Sequence, residues 1–155
     1  MLQRVVSAMR AQLFGISGDQ ALFRRRGFKS ARAKSQHVLE DIGKTFIDGY
    51  NFAVRSADPT LQSARLDSIP VDMHGFFVEG ASMGFALFDI VSPWPTRFFQ
   101  EFIRQAASPH IYMAYVGAGW ALARTSLRLS WRLGKTDPLL RWLMFDGLGF
   151  HHGYF

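Results

Sequence analysis

Apolar residues recur along this chain at three- and four-residue intervals, the spacing of one face of a helix. Leu2, Val5, Val6, Met9, Leu13 and Phe14 form the first stripe, and Gly15 and Gly18 punctuate the chain after it. A second pattern runs from about Ala31 to Val54, with Val38, Leu39, Ile42, Phe46, Tyr50 and Ala53 as its stripe and Ser30 as its expected N-cap. Asp58-Pro59 ends that segment and opens a short helix carrying Leu61 and Leu66; Ile69-Pro70 reads as a turn. The third pattern, Met73 to Val91, is apolar nearly all round and is expected to be central. Ser92–Pro95 (SPWP) stops it, and Phe98, Phe99, Phe102 and Ile103 form a compact amphipathic helix. Ser108-Pro109 is expected to start the next helix, running to about Trp131 and ended by Gly134. Thr136, Asp137 and Pro138 open a last helix that leads through LLRWLMF into the closing FDGLGFHHGYF. Alternating strand patterns are scarce. The fold expected is all-α.

Glycine adds a rhythm. Gly43, Gly80 and Gly117 are 37 residues apart, and Gly147 follows after 30, each among small residues and aromatics in an apolar helix. This spacing fits stacked helical hairpins, each contributing one Gly-rich inner helix, as either an α/α repeat or an irregular bundle. Each such glycine costs about 1 kcal/mol against alanine in a helix interior. The offset is either tight helix packing or a ligand laid against the helix.

Composition narrows the class. At 155 residues, 48% hydrophobic and 19% charged, the chain suits a single domain, residues 1–155, with a substantial core. No apolar stretch reaches the roughly 18–20 residues of a membrane span. The N-terminal residues lack the continuous apolar core of a signal peptide. With no cysteine there is no disulfide framework and no thiolate metal site. The expected location is cytoplasmic, with peripheral membrane contact through the cationic first helix as a variant. Formal net charge is +6, and much of the excess lies in Arg24, Arg25, Arg26, Lys29, Arg32 and Lys34. No nucleic-acid module accompanies this run, so an acidic protein partner or a solvated face is expected rather than nucleic acid.

Candidate chemistry rests on carboxylates in apolar surroundings. Glu40, Glu79, Asp89 and Asp146 lie in or beside apolar segments, where an ionised carboxylate is costly unless paired or protonated. Glu79 is the strongest case, since Gly75–Leu87 holds no other charge; burial would raise its pKa toward that of a general acid. A structural hydrogen bond to a neighbouring Tyr or Trp is the competing role. Asp146 with His151 is a second expected acid–base pair, with His110 and Tyr112 as orienting groups. His151 and His152 are adjacent and point about 100° apart on a helix, so only one can face a given site. A ligand surface is expected along Gly80, Met83, Tyr115, Gly119, Trp120 and Phe150. No metal-binding or nucleotide-binding motif occurs, and neither a metal nor a cofactor is expected.

Five stretches taken in order, RRGF (Arg25–Phe28), LEDIGKTFIDGYN (Leu39–Asn51), GFFVEGASMGFALFD (Gly75–Asp89), HIYMAYVGAGWALAR (His110–Arg124) and DPLLRWLMFDGLGFHHGYF (Asp137–Phe155), resemble the UnbL-type family. Its members occur in enediyne polyketide and other bacterial natural-product gene clusters, and its chemistry is not settled. The resemblance implies a role in secondary metabolism and supplies no catalytic residues. Members are typically about twice this length, which implies an N-terminal half, a split member or a truncated frame, with exposed core surface driving self-association or pairing with a missing C-terminal half. Two functions follow as expectations. One is an accessory enzyme that cyclises or isomerises an apolar polyene intermediate by acid–base catalysis in an aromatic-lined hydrophobic pocket. The other is a non-catalytic protein that sequesters such an intermediate, or docks an acidic carrier domain through Arg24, Arg25 and Arg26.

Overall fold

A computed structural model describes residues 2–29, 32–125, 133 and 135–154. Every regular element among them is helical. The α-helices are α1 (Leu2–Phe14), α2 (Phe23–Arg26), α3 (Ala33–Ser56), α4 (Gln62–Leu66), α5 (His74–Val91), α6 (Phe98–Phe102), α7 (Ile111–Arg124) and α8 (Leu143–Tyr154). α6 runs on into a π-helical turn, Ile103–Ala107, and a 3-10 turn, Ser108–His110.

Four long helices make the body, packed in chain order: α3 on α5, α5 on α7, α7 on α8. α5 is central, as its unbroken apolar sequence requires; thirteen of its 18 residues are buried. Phe77, Met83 and Phe85 from α5, Tyr50 from α3, and Phe99 and Phe102 from α6 are fully buried. Each such side chain contributes about 1.5–3 kcal/mol of burial.

Glycine sets how closely these helices approach. A Cβ on Gly80 would sit inside the carbonyl of Phe46 in α3, and one on Gly49 inside the carbonyl of Phe77 in α5. The α7–α8 crossing repeats this reciprocal arrangement: Gly119 against the carbonyl of Met144, Gly147 against that of Val116. Between α5 and α7 the close residue is Gly117, seated on the carbonyl of Glu79. Gly80 lies over the Phe46–Tyr50 turn and Gly84 over the Tyr50–Val54 turn, so α3 and α5 run the same way. Gly75 faces His110 and Met113 while Gly117 faces Glu79 and Ser82, so α7 is also parallel to α5. The segments between them, with the short helices α4 and α6, carry the chain back to the start of each inner helix.

The expected repeat therefore exists as a contact and not as a period. Gly43, expected as the first inner glycine, instead faces Ala21 and the Tyr154 hydroxyl; the crossing residue of α3 is Gly49. The α1 stripe also departs from expectation. Val5, Met9 and Leu13 are 52%, 56% and 70% exposed, while Phe14 packs on the core and Arg10 lies over the Phe88 ring. Val38 and Leu39 likewise project outward from the first turns of α3. Ser108 caps nothing: the residue before its turn is Ala107, and α7 begins after His110 without a side-chain cap. α7 ends at Arg124, and the expected extension to Trp131, the stop at Gly134 and the Ser30 cap lie outside the described residues.

Candidate functional site

The four carboxylates singled out by their apolar setting have different employments. Glu40 is buried on α3, where Oε1 accepts the Phe23 backbone N–H at 2.9 Å and the Gln36 amide at 3.0 Å. It therefore serves the start of α2, and the backbone bond from Phe23, with that from Gln36, holds its pKa below the ordinary value. Asp89, at the end of α5, accepts from the Thr96 hydroxyl at 2.6 Å and from the backbone N–H groups of Phe98 and Phe99, both at 3.0 Å. It ties the start of α6 to α5; desolvation still raises its pKa, against the three hydrogen bonds. Asp146 is exposed on the outer side of α8. Glu79 alone is buried without such structural employment.

Glu79 projects from the middle of α5, 8% exposed, with no ion-pair partner among the described residues. Among the described residues its one hydrogen bond comes from Trp120 of α7, whose indole Nε1–H donates to Oε1 at 2.9 Å. Burial pushes the Glu79 pKa up to about 7, opposed by that bond. The Trp120 ring lies 4.8 Å from Phe46 of α3 and meets His151 and Tyr154 of α8 edge-on at 5.8 and 6.0 Å. α8 is held over this cluster by the Tyr154 hydroxyl, which donates to the Gln20 carbonyl at 3.0 Å. Arg26 covers the Tyr154 ring at 4.6 Å. Burial first, then the neighbouring His152, Arg124 and Arg26 side chains, lower the His151 pKa and favour its neutral imidazole. A carboxyl that exchanges its proton near neutrality and a neutral imidazole thus flank one indole.

Other expected site residues lie elsewhere. Asp146 and His151 do not pair: five residues turn about 140° around a helix, leaving Asp146 outward and His151 on Trp120. His110 stands ten residues before Trp120, about 15 Å of helix, with its ring edge-on to His74 at 6.1 Å. Tyr112 is 66% exposed. Neither orients Glu79. Gly80 and Gly119 are filled by neighbouring carbonyls and present no ligand surface. Tyr115 packs on Phe99, and its hydroxyl accepts the Asp137 backbone N–H at 3.1 Å. Met83 is a core residue. Phe150 and Asp146 do share a surface groove of about 570 Å³ with Phe28, Phe145, Gly149, Gly153 and Tyr154. Of the expected ligand surface, Trp120 alone reaches Glu79.

The aromatic-lined pocket expected around Glu79 is instead a packed cluster. Among the described residues, clefts of about 1080, 570 and 540 Å³ open on the surface, and Glu79 lines none of these three. The smallest is closest in contact terms, since His151 forms one wall together with Arg124 and the Gly15–Gln20 segment. Of the expected basic docking face, Arg24 and Arg25 are exposed, but Arg26 turns inward and donates through Nε to the Gln20 carbonyl at 2.9 Å. Sequence reasoning passed over Phe46, Tyr154 and the Tyr50–Arg124 pair as site residues. Arg124 carried a signal: it is the one charge ending an otherwise uncharged buried helix.

Among the described residues no helix is long and apolar enough to cross a membrane. No group of three or more side chains there could hold a metal ion. No curated protein and no solved structure matches the chain. A family model described as "Protein of unknown function (DUF1702)" matches residues 5–155, and the chain belongs to that family.

Proposed function

We propose that this chain is an accessory protein of bacterial natural-product biosynthesis that moves a proton on an apolar polyene or polyketide intermediate. The observation that carries this reading is Glu79, buried, without a countercharge, and neutral below about pH 7. Such a carboxyl can give a proton to an electron-rich carbon of an enol or conjugated polyene and then take one back. In an isomerisation, the Glu79 O–H bond breaks as a C–H bond forms. A second C–H bond then breaks, its electrons form the shifted double bond, and the proton returns to the carboxylate directly or through neutral His151. In a cyclisation, a second double bond attacks the cation before the proton is lost. Trp120 donates to Glu79 throughout and stabilises its anion. The aromatic rings of Phe46, Trp120 and Tyr154 are suited to a developing carbocation. Because the cluster is packed, substrate entry requires the end of α8, which covers Trp120, to move aside. The family resemblance supports the metabolic setting.

The test is complementation of a producing strain from which the gene has been deleted. Glu79→Gln keeps the shape and the acceptor for Trp120 but carries no exchangeable acid proton. It is expected to leave the unconverted intermediate in place of the product while matching wild-type circular dichroism. Wild-type product levels from this variant would refute the catalytic reading. One observation supports the alternative of carrier docking: Arg24 and Arg25 are exposed on α2, with no partner among the described residues. In that case Arg24→Glu with Arg25→Glu abolishes salt-sensitive co-purification with an acidic carrier domain, and Glu79→Gln is silent.

A further inference from the structure

The cleft that reaches His151 differs in chemistry from the rest of the surface. It holds about 540 Å³ and is lined by Gly15, Ile16, Ser17, Gln20, Ala123, Arg124 and His151. No carboxylate of the described residues lines it. Arg124 is held in place from below: its Nη1 donates at 2.9 Å to the hydroxyl of fully buried Tyr50. That hydroxyl in turn donates to the Phe14 carbonyl at 2.7 Å. The guanidinium has no carboxylate partner among the described residues, and its remaining N–H groups stay available to a ligand. The opposite wall is equally fixed, because Asn51 accepts the Ile16 N–H at 2.9 Å and donates to the Ile16 carbonyl at 2.7 Å. A pre-positioned guanidinium beside an imidazole, with no carboxylate among the described residues of the cleft, is the arrangement that recognises an oxyanion.

We propose that this cleft binds an oxyanion, the carboxylate or phosphate head of the substrate, through Arg124, with the apolar part directed past His151 toward Trp120 and Glu79. The second half of this assignment rests on the reading of Glu79 as the acid; the anion site itself does not. The substrate class narrows accordingly to an apolar chain with one acidic end. An apolar hydrocarbon without a charged end would leave the cleft unused.

The test titrates the full chain with inorganic phosphate and, separately, with sodium octanoate, followed by calorimetry and by the His151 ring signals in NMR. Saturable binding of at least one, with a shift at His151, is expected. Arg124→Gln is expected to weaken it about tenfold, the loss of one charge-assisted contact. Ser17→Asp, an exposed change that sets a negative charge in the cleft, weakens it independently of Arg124. Tighter octanoate identifies a carboxylate head with a chain; tighter phosphate identifies a phosphoryl head. No saturable binding of either probe, or binding indifferent to both substitutions, overturns the site. Glu79→Gln is expected to bind both probes as wild type does. If it binds normally and also sustains product formation, the proton-transfer reading fails while the anion site stands.

Discussion

The protonation of Glu79 should be written into the stability of the fold. In the unfolded chain the carboxyl titrates near its ordinary value of 4.5, and in the folded chain near about 7. Below pH 4.5 both states hold the proton and the group contributes nothing. Between 4.5 and about 7 the unfolded chain ionises while the folded chain keeps its proton. Stability therefore falls as pH rises, by about 1.4 kcal/mol per pH unit. Above pH 7 both states are ionised and the loss levels off at about 3 kcal/mol. Glu40, whose pKa is lowered in the fold, has the opposite sign: its contribution is present above its unfolded value and lost on the acid side.

Comparing the wild type with Glu79→Gln isolates the Glu79 contribution, because Glu40 and Asp89 titrate equally in both. Glutamine still accepts the Trp120 N–H and never ionises. Urea unfolding of both proteins, followed by circular dichroism from pH 4 to 8.5, supplies the difference curve. The expected curve is flat at low pH, rises in favour of the variant across 4.5–7, and is flat again above. A constant offset would mean that the two amino acids pack differently and is immaterial. A curve without the rise would show that the Glu79 carboxyl is hydrated and ordinary, and would remove the physical basis for a general acid here.

Five further substitutions probe the packing and the buried polar contacts. Gly80→Ala and Gly147→Ala each drive a methyl into a neighbouring carbonyl. The cost of about 1–3 kcal/mol for overpacking outweighs the gain of about 1 kcal/mol in helix propensity, so the urea midpoint falls. Gly149→Ala meets nothing within 4 Å and is expected to gain up to about 1 kcal/mol in the same assay. Asp89→Ala strands the Thr96 hydroxyl and two backbone N–H groups and is expected to cost about 2–4 kcal/mol; an unchanged melting curve would refute its capping role. Trp120→Phe keeps an aromatic ring beside His151 and Tyr154 but removes the donor to Glu79. A carbon-13 carboxyl titration should then find the Glu79 pKa above its wild-type value, and a fall would show that water replaces the indole.

Sequence patterning revealed helix identity well because α5 and α7 are apolar enough to admit only one placement. It located the ends of α1 and α5 closely, where glycine or proline interrupts the periodicity. It opened the last helix at Thr136–Pro138, but Asp137 accepts the backbone N–H groups of Leu139 and Leu140 in a turn that leads into the 3-10 segment Leu140–Trp142, and α8 begins only at Leu143. It misplaced the outward stripe of α1, since Val5, Met9 and Leu13 have helical spacing whether the face is covered or bare. Gly43 misled for a related reason: equal sequence spacing records the lengths of connections, whereas close approach depends on which glycine falls at the crossing. Glu79 was legible because it is the lone charge in a long apolar stretch. Its partner was legible only as a residue type, Tyr or Trp. Arg124 and Tyr50 come together from positions 74 residues apart, a pairing that no local pattern encodes.

The glycine crossing and the acid site are one construction. The carbonyl that occupies the space of Gly117 belongs to Glu79 itself, so the closest approach of α7 to α5 is centred on the acid. Trp120 lies three residues beyond Gly117, almost one turn, which brings the indole alongside the Glu79 carboxyl as a direct consequence of the crossing. On the other side of α7, Gly119 and Gly147 bring α8 equally close, and one turn beyond Gly147 the chain delivers His151 to the outer edge of the same indole. With an alanine-sized spacer at these positions the helices would stand farther apart, water would enter between them, and a carboxyl at position 79 would titrate as it does in solution. The energetic cost of several helix glycines and the cost of a buried carboxyl thus have a common origin: helix axes close enough to keep water from a single proton-exchanging group.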